Sequence, residues 1–346
     1  MSNPKILIIY TGGTIGMIED PITRSLKPFN FSNIYEQIPR LSLYNIAIDT
    51  YAFPCPIDSS DMNPQIWKSI AEKIVENYAQ YDGFVVLHGT DTMGYTASAL
   101  SFIFENLSKP IILTGSQLPL GIARTDGRSN IINALEMAAA RNEDGLAMVP
   151  EVAICFENKL YRGNRTHKND AEDFNAFASP NYPLLANIGV SIKYHREYIA
   201  NHNHKQLIIN TNMDSNVAIL KLFPGIQQSL VKSILNTPRL RGLVLETYGS
   251  GNACQSEWFI DELKAATDKG IVILNVTQCK GGGSVCQGKY EASLQLEEIG
   301  IVSGYDIIAE TAITKMMYLL GIENNTEKIK YLLSKSLRGE MTTEKC

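Results

Sequence analysis

Lys5-Ile6-Leu7-Ile8-Ile9-Tyr10-Thr11-Gly12-Gly13-Thr14-Ile15-Gly16 is an apolar run that empties into a glycine-rich polar turn. A run that is apolar at nearly every position, rather than at alternate ones, suits a strand buried on both faces, as in a parallel sheet covered by helices. Residues 46–53, 84–88, 110–114 and 152–156 read as further strands. Between them the period lengthens. Asn63-Pro64 reads as a helix cap followed by proline at the first helical position, and Ile66, Ile70 and Ile74 then share one face. Ala97, Leu100, Phe104 and Leu107 form a second stripe, and Ile131, Ala134, Leu135 and Ala138 a third. Strands alternating with helices over short connections predict an α/β fold whose larger, parallel-type sheet carries helices on both faces.

The alternation lapses over a stretch rich in Asn, His, Lys and Tyr, then resumes with strands at 217–222, 242–246 and 271–276. Helices are expected near 226–235, through Phe259, Leu263 and Ala266, and near 307–320 and 327–335. The expected organisation is an N-terminal catalytic α/β domain over 1–190, a linker over 191–215, and a smaller C-terminal α/β domain over 216–346.

Composition narrows the function. The chain has 346 residues, 45% hydrophobic and 19% charged, long enough for two domains and too apolar for disorder. A net charge of -5 without a Lys/Arg block argues against nucleic acid, whose phosphates demand clustered cations. No apolar run approaches the roughly 18 residues of a membrane span, and a signal peptide is not expected. Cys55, Cys155, Cys254, Cys279, Cys286 and Cys346 are irregularly spaced, as expected of free thiols in the cytoplasm. His202-Asn203-His204 has no cysteine near it and reads as solvated loop, so no metal site is expected. The run Gly283-Ser284-Val285-Cys286-Gln287-Gly288-Lys289 resembles a phosphate-binding loop, but Tyr290 stands where Ser or Thr would hold magnesium, which disfavours a nucleotide-binding protein. The glycines at 12, 13 and 16 do not match the dinucleotide fingerprint either.

In open α/β sheets, ligands bind beyond the carboxyl ends of the strands. Thr11–Gly16, His88-Gly89-Thr90-Asp91-Thr92 and Thr114-Gly115-Ser116-Gln117 stand at such ends, and Asp58-Ser59-Ser60-Asp61 follows another strand by a short loop. Singly, each has a plain structural reading; Asp91, for instance, suits a helix cap. Together they supply hydroxyls, a carboxylate and exposed N–H groups, a set suited to acyl transfer by a hydroxyl nucleophile. The basic stretch Tyr161-Arg162-Gly163-Asn164-Arg165-Thr166-His167-Lys168 admits two readings: a solvated loop, or a seat for a partly buried Lys168 whose amine takes a proton from a hydroxyl and is held by Asp91.

These segments resemble the bacterial-type L-asparaginases, in particular the cytoplasmic type I enzymes. The likeness extends through Ala176–Asn181, Tyr248–Asn252, Thr277-Gln278-Cys279 and Leu337-Arg338-Gly339-Glu340. It implies hydrolysis of L-asparagine without metal or organic cofactor, with mixed glutaminase–asparaginase activity as the alternative, and a homotetramer built as a dimer of dimers. It implies Thr14 as the nucleophile, Thr90, Lys168 and Asp91 as a proton relay, Asp58, Ser59 and Ser60 with Asp91 as binders of the substrate's α-groups, and Ser116 near the leaving amide. Two departures stand out. The loop after the first motif lacks the tyrosine that often assists the nucleophile, with Leu26 about where it would fall. Glu246 occupies the place of a basic residue that some type I members use to bind regulatory asparagine.

Overall fold

The structure, a computed structural model, describes residues 3–19, 26–28, 34, 38–285 and 291–343. Most of the loop after the first motif, Cys286, Cys346 and residues 286–290 of the phosphate-loop-like run lie outside these. The chain divides into two compact units, Met1–Ile209 and Asn210–Cys346.

Eight strands among the described residues form the main sheet of the first unit. They are β1 (Lys5–Tyr10), β2 (Ala47–Ala52), β3 (Gly83–Leu87), β4 (Ile111–Thr114), β5 (Val152–Phe156), β6 (Lys159–Arg162), β7 (Ala186–Ile188) and β8 (Ile192–Tyr194), in the spatial order 8-7-6-5-4-3-1-2. The first five are parallel to one another, while β6, β7 and β8 add antiparallel strands at the β5 edge. The parallel part therefore runs 2-1-3-4-5. Its order reverses between β1 and β3, and such a reversal opens a crevice at the carboxyl ends of those two strands.

Alternation along the strands sends their side chains to two faces. Ile6, Ile8, Val85, Ile112 and Ala153 share a core with Ile131, Ala134, Leu135 and Ala138 of α3 (Gly127–Ala139). Helix α1 (Pro64–Asn77) packs on α2 (Met93–Ile103), and α2 packs on β4 and β5. The buried Ala97 and Leu100 of α2 are outside the α3 core, so helices cover both faces. The cap read from sequence at Asn63 is present: its side chain accepts from the N–H groups of Gln65 and Ile66.

The second stripe read from sequence runs too far. Helix α2 stops at Ile103, Asn106 takes a left-handed φ of 61°, and Phe104–Glu105 pairs with Ile208–Ile209 instead. The stretch 191–215 is correspondingly structured in part, holding β8, a turn of 3-10 helix at Arg196–Tyr198 and that short strand.

The second unit has a four-stranded parallel sheet among its described residues: β9 (Val217–Lys221), β10 (Gly242–Thr247), β11 (Val272–Thr277) and β12 (Val302–Ser303), in that order. Helices α4 (Gln228–Leu235), α5 (Glu257–Asp268), α6 (Glu291–Glu298), α7 (Ala309–Ile322) and α8 (Thr326–Leu333) accompany it. Both α6 and β12 escaped the sequence reading.

Candidate active site

Strand β1 ends at Tyr10, and Thr11 turns back to β3 by donating both its N–H (3.1 Å) and its hydroxyl (3.0 Å) to the Leu87 carbonyl. Gly13 then takes a φ of 86°, where a side chain is strained, and a Cβ there would stand 2.5 Å from the Gly89 nitrogen. The two sheet-end loops touch backbone to backbone. Thr14 opens a 3-10 turn over Thr14–Gly16 directly after this contact and is half-buried. A Cβ on Gly89 would in turn stand 2.5 Å from the hydroxyl of the buried Ser59, and the Thr92 hydroxyl donates to the Ser59 carbonyl at 2.6 Å. Close approach thus brings three of the polar segments to the crevice at β1 and β3. The fourth joins through Gly115, whose Cβ position lies 3.5 Å from the Thr90 methyl.

Lysine 168 lies on a two-stranded ribbon formed by His167–Lys168 and Phe177–Ala178. Its Nζ donates to Thr90 Oγ1 at 2.8 Å and to Asp91 Oδ1 at 2.7 Å. Thr90 is buried, the Lys168 side chain is 17% exposed and that of Asp91 is 65% exposed. The sequence left open whether Asp91 caps a helix. It does not: Thr92 holds the N-cap position of α2, without a side-chain cap bond, and the Asp91 carboxylate pairs with the lysine. The solvated-loop reading of the basic stretch also fails, since Arg162, Asn164, Arg165, Thr166 and His167 are all buried.

Asp58 Oδ1 accepts from both the N–H and the hydroxyl of Ser60, each at 2.9 Å, and these bonds hold its carboxyl below the usual range. Asp58 and Ser60 are exposed. Ser116 is buried and donates its hydroxyl to the Leu118 carbonyl at 2.7 Å.

Two groups without a role in the sequence analysis join the site. His88 is wholly buried, its Nδ1 2.6 Å from the Gly89 carbonyl and its Nε2 2.9 Å from Thr96 Oγ1, which also accepts from Trp67 Nε1 at 3.0 Å. The carbonyl can only accept, so Nδ1 carries the proton and Nε2 accepts from Thr96. Burial pushes the His88 pKa down to about 4. The other is Gln117, whose Oε1 accepts from the Thr90 hydroxyl at 3.3 Å.

Residues 5–200 match the family model described as asparaginase, N-terminal, and residues 216–333 match that of the glutaminase/asparaginase C-terminal domain. The chain belongs to the asparaginase family. It is 42% identical to L-asparaginase 1 of Escherichia coli (strain K12), over 99% of this chain and all of that one. It is 40% identical to the 60 kDa lysophospholipase of Homo sapiens, across 98% of this chain but 61% of that longer protein. The crystal structure of L-asparaginase I from Vibrio cholerae superimposes with a TM-score of 0.88 at 38% identity, covering 98% of this chain and 99% of that one.

Proposed function

We propose that the protein hydrolyses L-asparagine to L-aspartate and ammonia through an acyl-enzyme on Thr14. The observation that carries the reading is the Lys168 amine, donating to Thr90 Oγ1 and Asp91 Oδ1 in the loop whose Gly89 meets Gly13, the residue before Thr14. A threonine hydroxyl attacks an amide only when a neighbour takes its proton. In the proposed acylation, the Thr14 oxygen bonds to the substrate's side-chain carbonyl carbon as its proton passes to Thr90, and Thr90 passes its own on to the Lys168 amine. The C–N bond then breaks, and the relayed proton leaves with the nitrogen as ammonia. Water attacks the ester next. Its proton runs through the same relay, and its oxygen stays in the aspartate as Thr14 regains its hydroxyl. Asp58, with Ser59, Ser60 and Asp91, holds the substrate's α-ammonium and α-carboxylate, and Ser116 helps shape the end of the pocket near the leaving amide.

The same reading places the enzyme in the cytoplasm as a homotetramer. Support comes from its similarity to E. coli L-asparaginase 1 and from unpaired thiols at Cys55, Cys155, Cys254 and Cys279. Ile219 on the edge strand β9 and the nearby Phe223 and Leu230 are exposed, apolar surface of the kind an interface covers. Among the described residues no helix is long and apolar enough to cross a membrane.

The test is Thr14→Ala, with ammonia release from asparagine and from glutamine as the readout. The variant keeps the wild-type circular dichroism and loses several powers of ten in kcat, as when one member of a catalytic unit is removed. The wild type favours asparagine, because fixing the α-groups sets the reach to Thr14 and a misplacement of about 1 Å costs roughly a hundredfold. A folded, fully active Thr14→Ala enzyme removes the nucleophile assignment, and equal kcat/KM for both amides points to the mixed glutaminase–asparaginase.

A further inference from the structure

We propose that Gln117 is a positioning residue that sets the direction of the Thr90 hydroxyl proton and ties the relay to the ribbon that carries Lys168. The inference rests on the Thr90–Lys168 relay proposed above.

The side-chain amide of Gln117 has only one workable orientation. Its Nε2 donates to the carbonyls of Ala171 at 3.1 Å and Asp173 at 3.0 Å. Turning the amide over would set its oxygen against two carbonyl oxygens, two acceptor–acceptor contacts in place of two hydrogen bonds. Oε1 therefore faces Thr90. An amide oxygen accepts and never donates, so the Thr90 hydroxyl proton points at Gln117 while Thr90 Oγ1 accepts from Lys168 Nζ. At 3.3 Å this bond is longer than the usual O–H···O distance. It is therefore weak, and the proton is parked rather than trapped. A rotation about the Thr90 Cβ–Oγ1 bond carries the proton from Gln117 toward the amine.

Both ends of the bridge are anchored. The Gln117 N–H donates to the two oxygens of Asp126 at 3.1 and 3.0 Å, and the Leu118 N–H adds a bond to the same carboxylate. Asp126 also accepts from Asn130 Nδ2, which donates to the Gly115 carbonyl as well. On the far side, Ala171 and Asp173 belong to the turn that joins the two strands of the Lys168 ribbon. That turn is closed by the Asn169 N–H on the Ala176 carbonyl and by Asp170 Oδ1 accepting from the N–H groups of Glu172 and Asp173. One side chain thus spans from the relay hydroxyl to the element holding the relay amine, so Thr90 and Lys168 keep their registry through Gln117.

The experiment is Gln117→Met, which keeps the length and removes the acceptor and both donors. We expect kcat for asparagine to fall roughly tenfold to a hundredfold, the scale of a small misplacement in a proton path, with KM within about twofold. Bound aspartate should still raise the melting temperature as in the wild type, because the α-group binders are untouched. An unchanged kcat, or a raised KM at unchanged kcat, overturns the proposal. If the methionine variant does not fold, Gln117→Asn keeps both polar functions one methylene short and is read by the same kcat-against-KM split. Thr90→Val separates the two readings. Full turnover in that variant removes the relay itself, whereas a dead Thr90→Val beside a fully active Gln117→Met leaves the relay standing and removes only the role of Gln117.

Discussion

Lowering the pH from 7.5 to 5 should destabilise the first unit through His88 by an amount the structure sets. The imidazole is fully buried, with one nitrogen donating to the Gly89 carbonyl and the other accepting from Thr96. Protonation would put an N–H against a hydroxyl that already accepts from Trp67, in a place water does not reach. The folded pKa is about 4 against the ordinary 6.5. Between those values the unfolded chain binds a proton that the folded one refuses. The stability His88 contributes is therefore fully present above pH 6.5 and is lost as pH falls toward 4. The whole shift is worth about 3 kcal/mol, of which about 2 kcal/mol is gone by pH 5. The two tryptophans fall in different units, so in a Trp258→Phe background Trp67 fluorescence follows urea unfolding of the first unit alone. His88→Gln in that background should be less stable at pH 7.5 but should lose about 2 kcal/mol less on going to pH 5. Parallel pH dependences in the two proteins would refute the argument.

Lys168→Met should lower kcat by about 10² to 10⁴, the range of a lost general base, while KM changes far less; a variant that keeps kcat and only binds poorly would move Lys168 to substrate binding. Glu340→Gln should cost about 3–5 kcal/mol in thermal or urea unfolding, because it strands the wholly buried Lys315 ammonium that Glu340 meets at 2.7 Å; a shift below about 1 kcal/mol would show that the Leu333 and Lys335 carbonyls suffice to hold it. Asparagine kinetics should be hyperbolic, since the Glu246 carboxylate repels that of a regulatory asparagine; a Hill coefficient clearly above one that Cys279→Ala abolishes would show that a regulatory site works despite Glu246, with Lys221, 3.4 Å from it, as the nearby cation.

Legibility followed the range of the forces involved. The strands β1, β3, β4 and β5 could be read because burial on both faces leaves a continuous apolar signature. The antiparallel edge of β6, β7 and β8 could not, since those strands are short and only partly apolar. Phe104 and Leu107 kept helical spacing, and what ended α2 was pairing with Ile208–Ile209, about a hundred residues away and invisible to any local window. At the site, Thr14, Thr90 and Asp91 announced themselves through glycine-rich turns at strand ends, and Lys168 through its basic stretch. Gln117 and His88 stood in quoted segments without a role, because each acts through bonds to distant partners: Ala171 and Asp173 for the one, Thr96 and Trp67 for the other.

The basic stretch 161–168 is held in place by its own buried cations. Arg162 Nε pairs with Glu151 Oε2 at 2.7 Å, and its guanidinium also donates to the Tyr198 carbonyl. Glu151 completes its set by accepting the Ala200 N–H at 2.7 Å. The guanidinium carbons of Arg162 and Arg165 lie 4.4 and 5.0 Å from the centre of the Tyr182 ring, so each cation faces a π surface. Buried cations this well partnered are expensive to displace. The Thr166 hydroxyl donates to the Arg162 carbonyl at 2.7 Å and closes the turn that leads into His167–Lys168. Helix α2 meets this turn where Gly94 lies against the Thr166 carbonyl, close enough that a Cβ would stand 2.7 Å away. Helix α2 begins just after Thr90-Asp91, and the turn ends at Lys168. The contact therefore fixes the Lys168 amine relative to the Thr90 hydroxyl and the Asp91 carboxylate to which it donates.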